Sequence, residues 1–367
     1  MIDRLSLFSL MAGVVLLSGC PRGELAQPQA AEKAPRASVA LRVLVVNEPG
    51  ISEAINRLRG EWAERSGGQV SVTASEWKDV AAAKSLDADV VIFPSRYLGE
   101  LSTRGWLQPV RSSVLEGDEF KADDVFPLLR RELMRWGSEA MALPLATQLV
   151  LADNSNSDHP GLRLLALAAP NAVSNAREGV LFDPQTMKPR ISDPVFVDAL
   201  LQLGQANVAG TGRESGAKVS VPVLGFADPL IAVSSGSRNG ASAFKLIAWL
   251  ASPDVSPQLV ADNKLLQSAR RSAASPSSGA TIPAGEQVEG RRATDLSAAD
   301  QCLLVPRIPG VDKYIAALDE DVKTPPVDQA AAEAALKKVA DEWEEITDAH
   351  GREAQRQAYL KHLQISE

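Results

Sequence analysis

Two short stretches of this chain are apolar almost without interruption: Leu41–Val46 (LRVLVV) and Asp89–Phe93 (DVVIF). Runs of five or six such residues are too short for a helix and suit strands covered on both faces. The segments between them change period. Ser52 can open a helix to Ser66, with Ile55, Leu58 and Trp62 on one stripe and Gly67-Gly68 ending it. Val70–Ala74 alternates as a strand, Trp77–Ser85 reads as a short helix, and Tyr97–Arg104 reads as a helix closed by Gly105. Repeated βα units predict a parallel, doubly wound sheet. In such sheets ligands sit beyond the carboxyl ends of the strands. Those ends are Asn47-Glu48-Pro49, Ser75-Glu76-Trp77 and Pro94-Ser95-Arg96-Tyr97. Asn47, Glu48, Glu76, Trp77, Ser95 and Arg96 are therefore candidate ligand-binding residues.

Farther on, Met141–Asp153 (MALPLATQLVLAD) is an apolar strand pair suited to crossing between two lobes. It carries Thr147 and Gln148, neutral polar groups of the kind an uncharged ligand needs. Asn154–Ala176 has no clear period, Asp183–Pro194 is a loop, and Val195–Leu203 a short helix. Ser220–Val233 is a second apolar crossover, interrupted by Asp228-Pro229. Phe226 and Asp228 on it join the candidates, with Trp77 as apolar platform and Arg96 and Asp228 as polar clamps. Ser237 or Asn239 caps a helix that turns Phe244, Ile247 and Leu250 inward. Ser272–Arg292 is a surface loop. Asp312–Asp319 and Asp328–Ala349 are helical, the second with a core stripe of Leu336, Val339, Trp343 and Ile346. Trp62, Trp249 and Trp343 fall on such stripes and read as core.

The chemistry of the composition is mostly exclusion. A net charge of −8 argues against nucleic acid, whose phosphates need a basic face. There is no G-x-S-x-G, H-E-x-x-H or phosphate-loop signature, so no catalytic role is expected. His159, His350 and His362 are scattered and read as surface positions. Glu344-Glu345 and Asp319-Glu320-Asp321 read as solvated helix faces. No metal or other cofactor is implied.

The N-terminus has its own logic. Leu5–Leu17 is an apolar run too short to span about 30 Å of hydrocarbon comfortably, but it fits a signal-peptide core. It ends in Leu17-Ser18-Gly19-Cys20, which resembles the bacterial lipobox, whose Cys is acylated. Lipid on Cys20 leaves Cys302 alone and reads it as a small core residue. Pro21–Ala40 is rich in Pro, Ala and charge and reads as a disordered tether.

The order of segments is similar to a known family. DVVIFPSRYLGELSTRGWLQPV, then ALPLATQLVLADNS, then LGFADPLIAVSSGSRNGASAFKLIAWLASPD follow one another behind the lipobox. This set resembles the extracellular solute-binding proteins of ABC importers, the group that includes maltose-type sugar binders. The resemblance implies an α/β fold of two periplasmic-binding-protein-like lobes, with doubly wound sheets joined by a two-strand hinge and C-terminal helices added. On that reading residues 1–20 are the signal, 21–40 the tether, and 41–148 with 225–275 the first lobe. Residues 149–224 form a reduced second lobe, 276–300 a loop, and 301–367 helices packing on the second lobe or hinge. It further implies a monomer in the cell envelope, held to a membrane through Cys20. Such a protein takes a small solute, carbohydrate-like by resemblance, and delivers it to permease subunits. The sequence departs from the family in one respect. The insert between the crossovers, 154–219, offers only Phe182 and Phe196 as large aromatics, where sugar binders carry stacking platforms. That departure keeps open a second reading, a non-transport sensor or scaffold using the same fold with a degenerate cleft.

If Cys20 carries the anchor, Cys20→Ala abolishes incorporation of a radiolabelled fatty acid in growing cells. Equal label on wild type and variant would remove the anchor.

Overall fold

A computed structural model of the protein describes residues 38–148, 158–175, 179–208, 221–263, 265–274, 296 and 299–365. The signal, Cys20, the tether up to residue 37 and most of the Ser272–Arg292 loop lie outside those residues.

The first lobe is built on one five-stranded sheet. Its units are β1 (Ala40–Val46), α1 (Pro49–Ser66), β2 (Gln69–Ser75), α2 (Trp77–Ala82), β3 (Val90–Pro94) and α3 (Leu98–Thr103). A single 3₁₀ turn, Ser95–Tyr97, joins the last two. Short pieces follow: α4 (Ser112–Leu115), α5 (Pro127–Glu132), β4 (Arg135–Trp136), β5 (Glu139–Ala140), β6 (Leu143–Pro144) and β7 (Ala146–Gln148). After α6 (Pro160–Asn175), α7 (Pro194–Val208) and β8 (Val223–Leu224), the chain returns to the sheet with β9 (Pro229–Val233). Then come α8 (Gly240–Leu250), α9 (Ser256–Val260), β10 (Leu266–Ser268) and α10 (Arg271–Ala274). The sheet order is β2-β1-β3-β9-β6, with β1 parallel to β2 and β3, and β9 antiparallel to both β3 and β6.

Position in the sheet explains the sequence of each strand. β3 and β9 are central and buried at every residue, as their uninterrupted apolar runs require. β1 is less enclosed than its sequence suggests: Ala40 and Arg42 are exposed and Leu44 is half-buried, while Leu41, Val43, Val45 and Val46 are buried. The helix after it starts at Pro49 rather than Ser52. Pro supplies the fixed φ a first turn accepts. Gly67, at φ 70°, closes that helix in the left-handed conformation and donates its N–H to the Ala63 carbonyl. Trp62 and Trp249 meet across α1 and α8 with ring centroids 5.4 Å apart.

The second lobe is helical, and its parts come from distant places in the chain. After β11 (Leu303–Leu304), which pairs in parallel with β8, the tail forms α11 (Val311–Val322), α12 (Gln329–His350) and α13 (Arg352–His362). Helix α11 packs on α6 and α12, and α12 packs on α7. Phe182 sits among the tail aromatics: Trp343 stacks on it at 5.1 Å, and Tyr314 and Tyr359 meet it edge-on at 5.4 and 5.6 Å. Trp343 Nε1 donates to the Tyr314 carbonyl at 2.8 Å, so its polar atom is not stranded. Phe182 and Phe196 are both fully buried. The aromatics of the insert are core, and the core is completed by the C-terminal helices.

Histidine placement differs from the expected surface positions. His362 on α13 is 1% exposed, because its Nδ1 accepts from the backbone N and Nε of buried Arg307, at 3.3 and 3.4 Å. Arg307 in turn donates to the Leu133 carbonyl at 3.2 Å, tying the tail to the first lobe. Burial brings the Arg307 guanidinium down to about 10. Burial first, and then Arg307, hold His362 well below the usual histidine range, near 6.5. Unfolding lets His362 take a proton below that value, so the folded state loses stability as pH falls. The slope is at most about 1.4 kcal/mol per pH unit. Between pH 6.5 and 5 the urea midpoint of the wild type should therefore fall more steeply than that of His362→Gln. Parallel curves would show that the imidazole is not held neutral.

Candidate functional site

The carboxyl ends of β1, β2 and β3 place three turns side by side. In the first, Asn47 adopts a left-handed conformation, φ 56°, which Asn tolerates better than most residues. Its Oδ1 accepts the backbone N–H of Trp77 at 2.8 Å, fixing the second turn against the first. Glu76, just before, is exposed and pairs with Lys78 at 2.7 Å. The hydrogen bond from Lys78 holds its carboxyl below the usual range. Trp77 is half-exposed and stacks on Tyr97 of the third turn, centroids 3.8 Å apart and planes 11° from parallel.

Arg96 forms the centre of the site. Its guanidinium lies 4.4 Å from the Tyr97 ring centroid and 4.5 Å from that of Phe226. Nε donates to Asp312 Oδ1 at 3.0 Å and Nη1 to the Phe226 carbonyl at 3.1 Å. The Tyr97 hydroxyl donates to the other oxygen of Asp312, at 2.9 Å. Burial raises the Tyr97 phenol well above its ordinary value. Asp312 belongs to the first turn of α11, so this cluster joins the sheet lobe to the helical lobe.

From the helical side comes His159, whose ring stands edge-on to Phe226 at 5.0 Å. Its Nδ1 lies 2.8 Å from Asp319 Oδ2, and the other oxygen of Asp319 accepts the Gly161 N–H at 2.8 Å. Asp319 was expected on a solvated face. Instead it fixes the start of α6.

Glu48 is the group left over. It is half-buried beside Arg96, and among the described residues no donor reaches its carboxylate. Burial pushes its pKa up to about 7, against a downward pull from Arg96.

Asp228 differs from the clamp expected of it. It is 1% exposed and faces the protein's own donors. Thr147 Oγ1 (2.6 Å) and Gln148 N (3.1 Å) donate to one oxygen, Ser95 Oγ (2.8 Å) and Gly225 N (2.7 Å) to the other. Burial raises its pKa while the four bonds pull the other way. Ser95 and Thr147 are fully buried in the same cluster. Gln148 contributes its backbone there and pairs with Leu266 across the β7–β10 ladder. Gly225 sits at φ 91°, and a Cβ there would come within 2.9 Å of Leu304 and 3.0 Å of the Val305 carbonyl.

The structure thus brings together Asn47, Glu48, Trp77, Arg96 and Phe226 and places Ser95, Thr147 and Asp228 beneath them as support. Sequence reasoning missed Tyr97, His159, Asp312 and Asp319. The one available signal was the spacing of Asp312 and Asp319, seven apart on a helix and so on one face.

No family model matches the chain, and no curated protein matches its sequence. Solved structures match its fold. The maltose-bound MalE3 of T. maritima superposes with a TM-score of 0.56 at 12% identity, covering 84% of this chain and 100% of that one. The acarbose-binding GacH receptor of Streptomyces glaucescens gives 0.57 at 13%, covering 85% and 99%. An ABC transporter solute-binding protein from Agrobacterium vitis with bound D-mannitol gives 0.53 at 16%, covering 86% and 99%. The chain therefore has the fold of the two-lobe solute-binding proteins.

Asp228→Ala strands four buried or half-buried donors. It should lower the unfolding free energy by roughly 3 kcal/mol or more in urea titration, with Asp228→Asn losing less. An unchanged midpoint for the alanine variant would remove Asp228 from the framework.

Proposed function

We propose that this protein is a lipid-anchored solute-binding protein that captures a small polyhydroxylated solute between its lobes and presents it to an ABC importer. The observation that carries the reading is the placement of Glu48, Trp77 and Arg96. They stand beyond the carboxyl ends of parallel strands and opposite His159 of the helical lobe, on a fold shared with sugar and polyol binders. Trp77 offers a rigid ring to an apolar sugar face, and Asn47 and Glu48 offer oxygens to hydroxyls. Solute contacts shared by the two lobes would stabilise their closed arrangement. The anchor on Cys20 and the tether would keep the capturing domain at the membrane, near the permease subunits. The rival reading, a sensor or scaffold with a degenerate cleft, draws support from Thr147 and Asp228, whose side chains are engaged inside the protein.

A thermal-denaturation screen of the full chain against maltose, D-mannitol and ribitol tests capture. A bound solute at 100 times its Kd stabilises the native state by about 2.7 kcal/mol. Trp77→Ala should weaken that binding by roughly tenfold, the worth of one aromatic contact of about 1.4 kcal/mol. No shift with any of the three, or no effect of the substitution, would favour the scaffold reading.

A further inference from the structure

Helix α13 touches both lobes and belongs to neither alone. Toward the helical lobe, Tyr359 meets Phe182 edge-on at 5.6 Å, and its hydroxyl lies against the turn at Gly179. Arg352, at the start of the helix, donates Nη1 to the Thr186 carbonyl at 3.2 Å. The other end of the same helix is held by the sheet lobe. A helix leaves its last four carbonyls without internal partners. One of them, that of Lys361, accepts the N–H of Gly137 in the β4–β5 turn at 2.8 Å. Gln364 Nε2 donates to the Arg131 carbonyl at 2.7 Å. His362 accepts from Arg307, and Arg307 reaches the Leu133 carbonyl. The helix also packs directly on α3 and β4.

These ties leave little slack. Tyr359, Leu360, His362 and Arg307 are all buried. Helix α3 comes so close to the tail that a Cβ on Gly99 would overlap the Arg307 carbonyl and the Trp136 ring. The turn that opens α3 is tied to the tail as well, through Arg96 and Tyr97 to Asp312. Close-packed contacts have two arrangements, made or broken, and do not stretch. Swinging one lobe away from the other would break them together. We propose that α13 is a brace that holds the two lobes at one angle, with or without a solute. The inference goes beyond solute capture and does not depend on it. A solute would enter a cleft whose width is already set.

The test reads the separation of the lobes directly. Spin labels are placed at two exposed positions, Arg59→Cys on α1 and Asp198→Cys on α7, in the full chain carrying Cys20→Ala and Cys302→Ala. Their distance is measured by double electron–electron resonance. Without solute the distribution should be single and narrow, and maltose, D-mannitol and ribitol should leave it in place. A broad or split distribution in the solute-free chain overturns the brace. So does a shift on adding any of the three, which would at the same time support capture. Ending the chain after Gly351 removes α13 and should broaden the distribution toward longer distances. That truncation also takes Tyr359 out of the core. A second variant, Arg307→Met with Gln364→Ala, therefore cuts side-chain ties to the sheet lobe alone, and it decides the matter if the shortened chain loses its far-ultraviolet circular dichroism. It should broaden the distribution in the same direction. A distribution as narrow as the wild type's in that variant places the fixed angle elsewhere and overturns the brace.

Discussion

The Asp228 carboxylate is the interaction on which the rest depends. Its two oxygens collect donors from the turn after β3, from both residues at the end of β7, and from the glycine after β8. Those are the places where the chain leaves the sheet and returns to it. A neutral side chain could not accept four hydrogen bonds in so small a volume, and a carboxylate without them would not stay charged at 1% exposure. With that junction fixed, the Arg96 turn has a defined height above the sheet, and Phe226 is carried beneath its guanidinium. The visible site is a consequence of a buried carboxyl group that the protein's own donors surround.

How much of this was legible in the sequence depends on how far apart the partners lie. β3 and β9 announce themselves because burial on both faces leaves no room for polar residues. The stripe of Leu336, Val339 and Trp343 announces α12 for the matching helical reason. Trp77 and Arg96 were found because strand ends in a parallel sheet must align. What escaped was pairing across long intervals. Arg96 and Asp312 are 216 residues apart, and His159 and Asp319 are 160 apart. Nothing local distinguishes Asp312 from any other acid in a helical first turn. Asp228 was singled out for the right reason, a carboxylate in an apolar crossover, and assigned to the wrong neighbours. A sequence shows that such a group needs donors but not whether a ligand or the chain provides them.

The second lobe carries the same lesson at larger scale. Residues 154–219 look too small and too poor in aromatics to make a lobe, and by themselves they are. The missing rings, Tyr314, Trp343 and Tyr359, arrive with the tail and close over Phe182. A reduced insert and an extended C-terminus are two halves of one solution to the need for a core.

That arrangement also sets an order of events in time. Helices α6 and α7 are synthesised well before α11 and α12, and at about 5–20 residues per second the interval between Phe182 and Trp343 is roughly ten to thirty seconds. For that period the nascent chain holds an apolar surface whose cover does not yet exist. A chain released before α12 would keep its sheet strands and lose the helix that packs on α7 and α11. Were the chain exported, as the proposed anchor on Cys20 requires, such a delay would be an advantage, because a chain that cannot finish folding stays in a form that can still be threaded across a membrane.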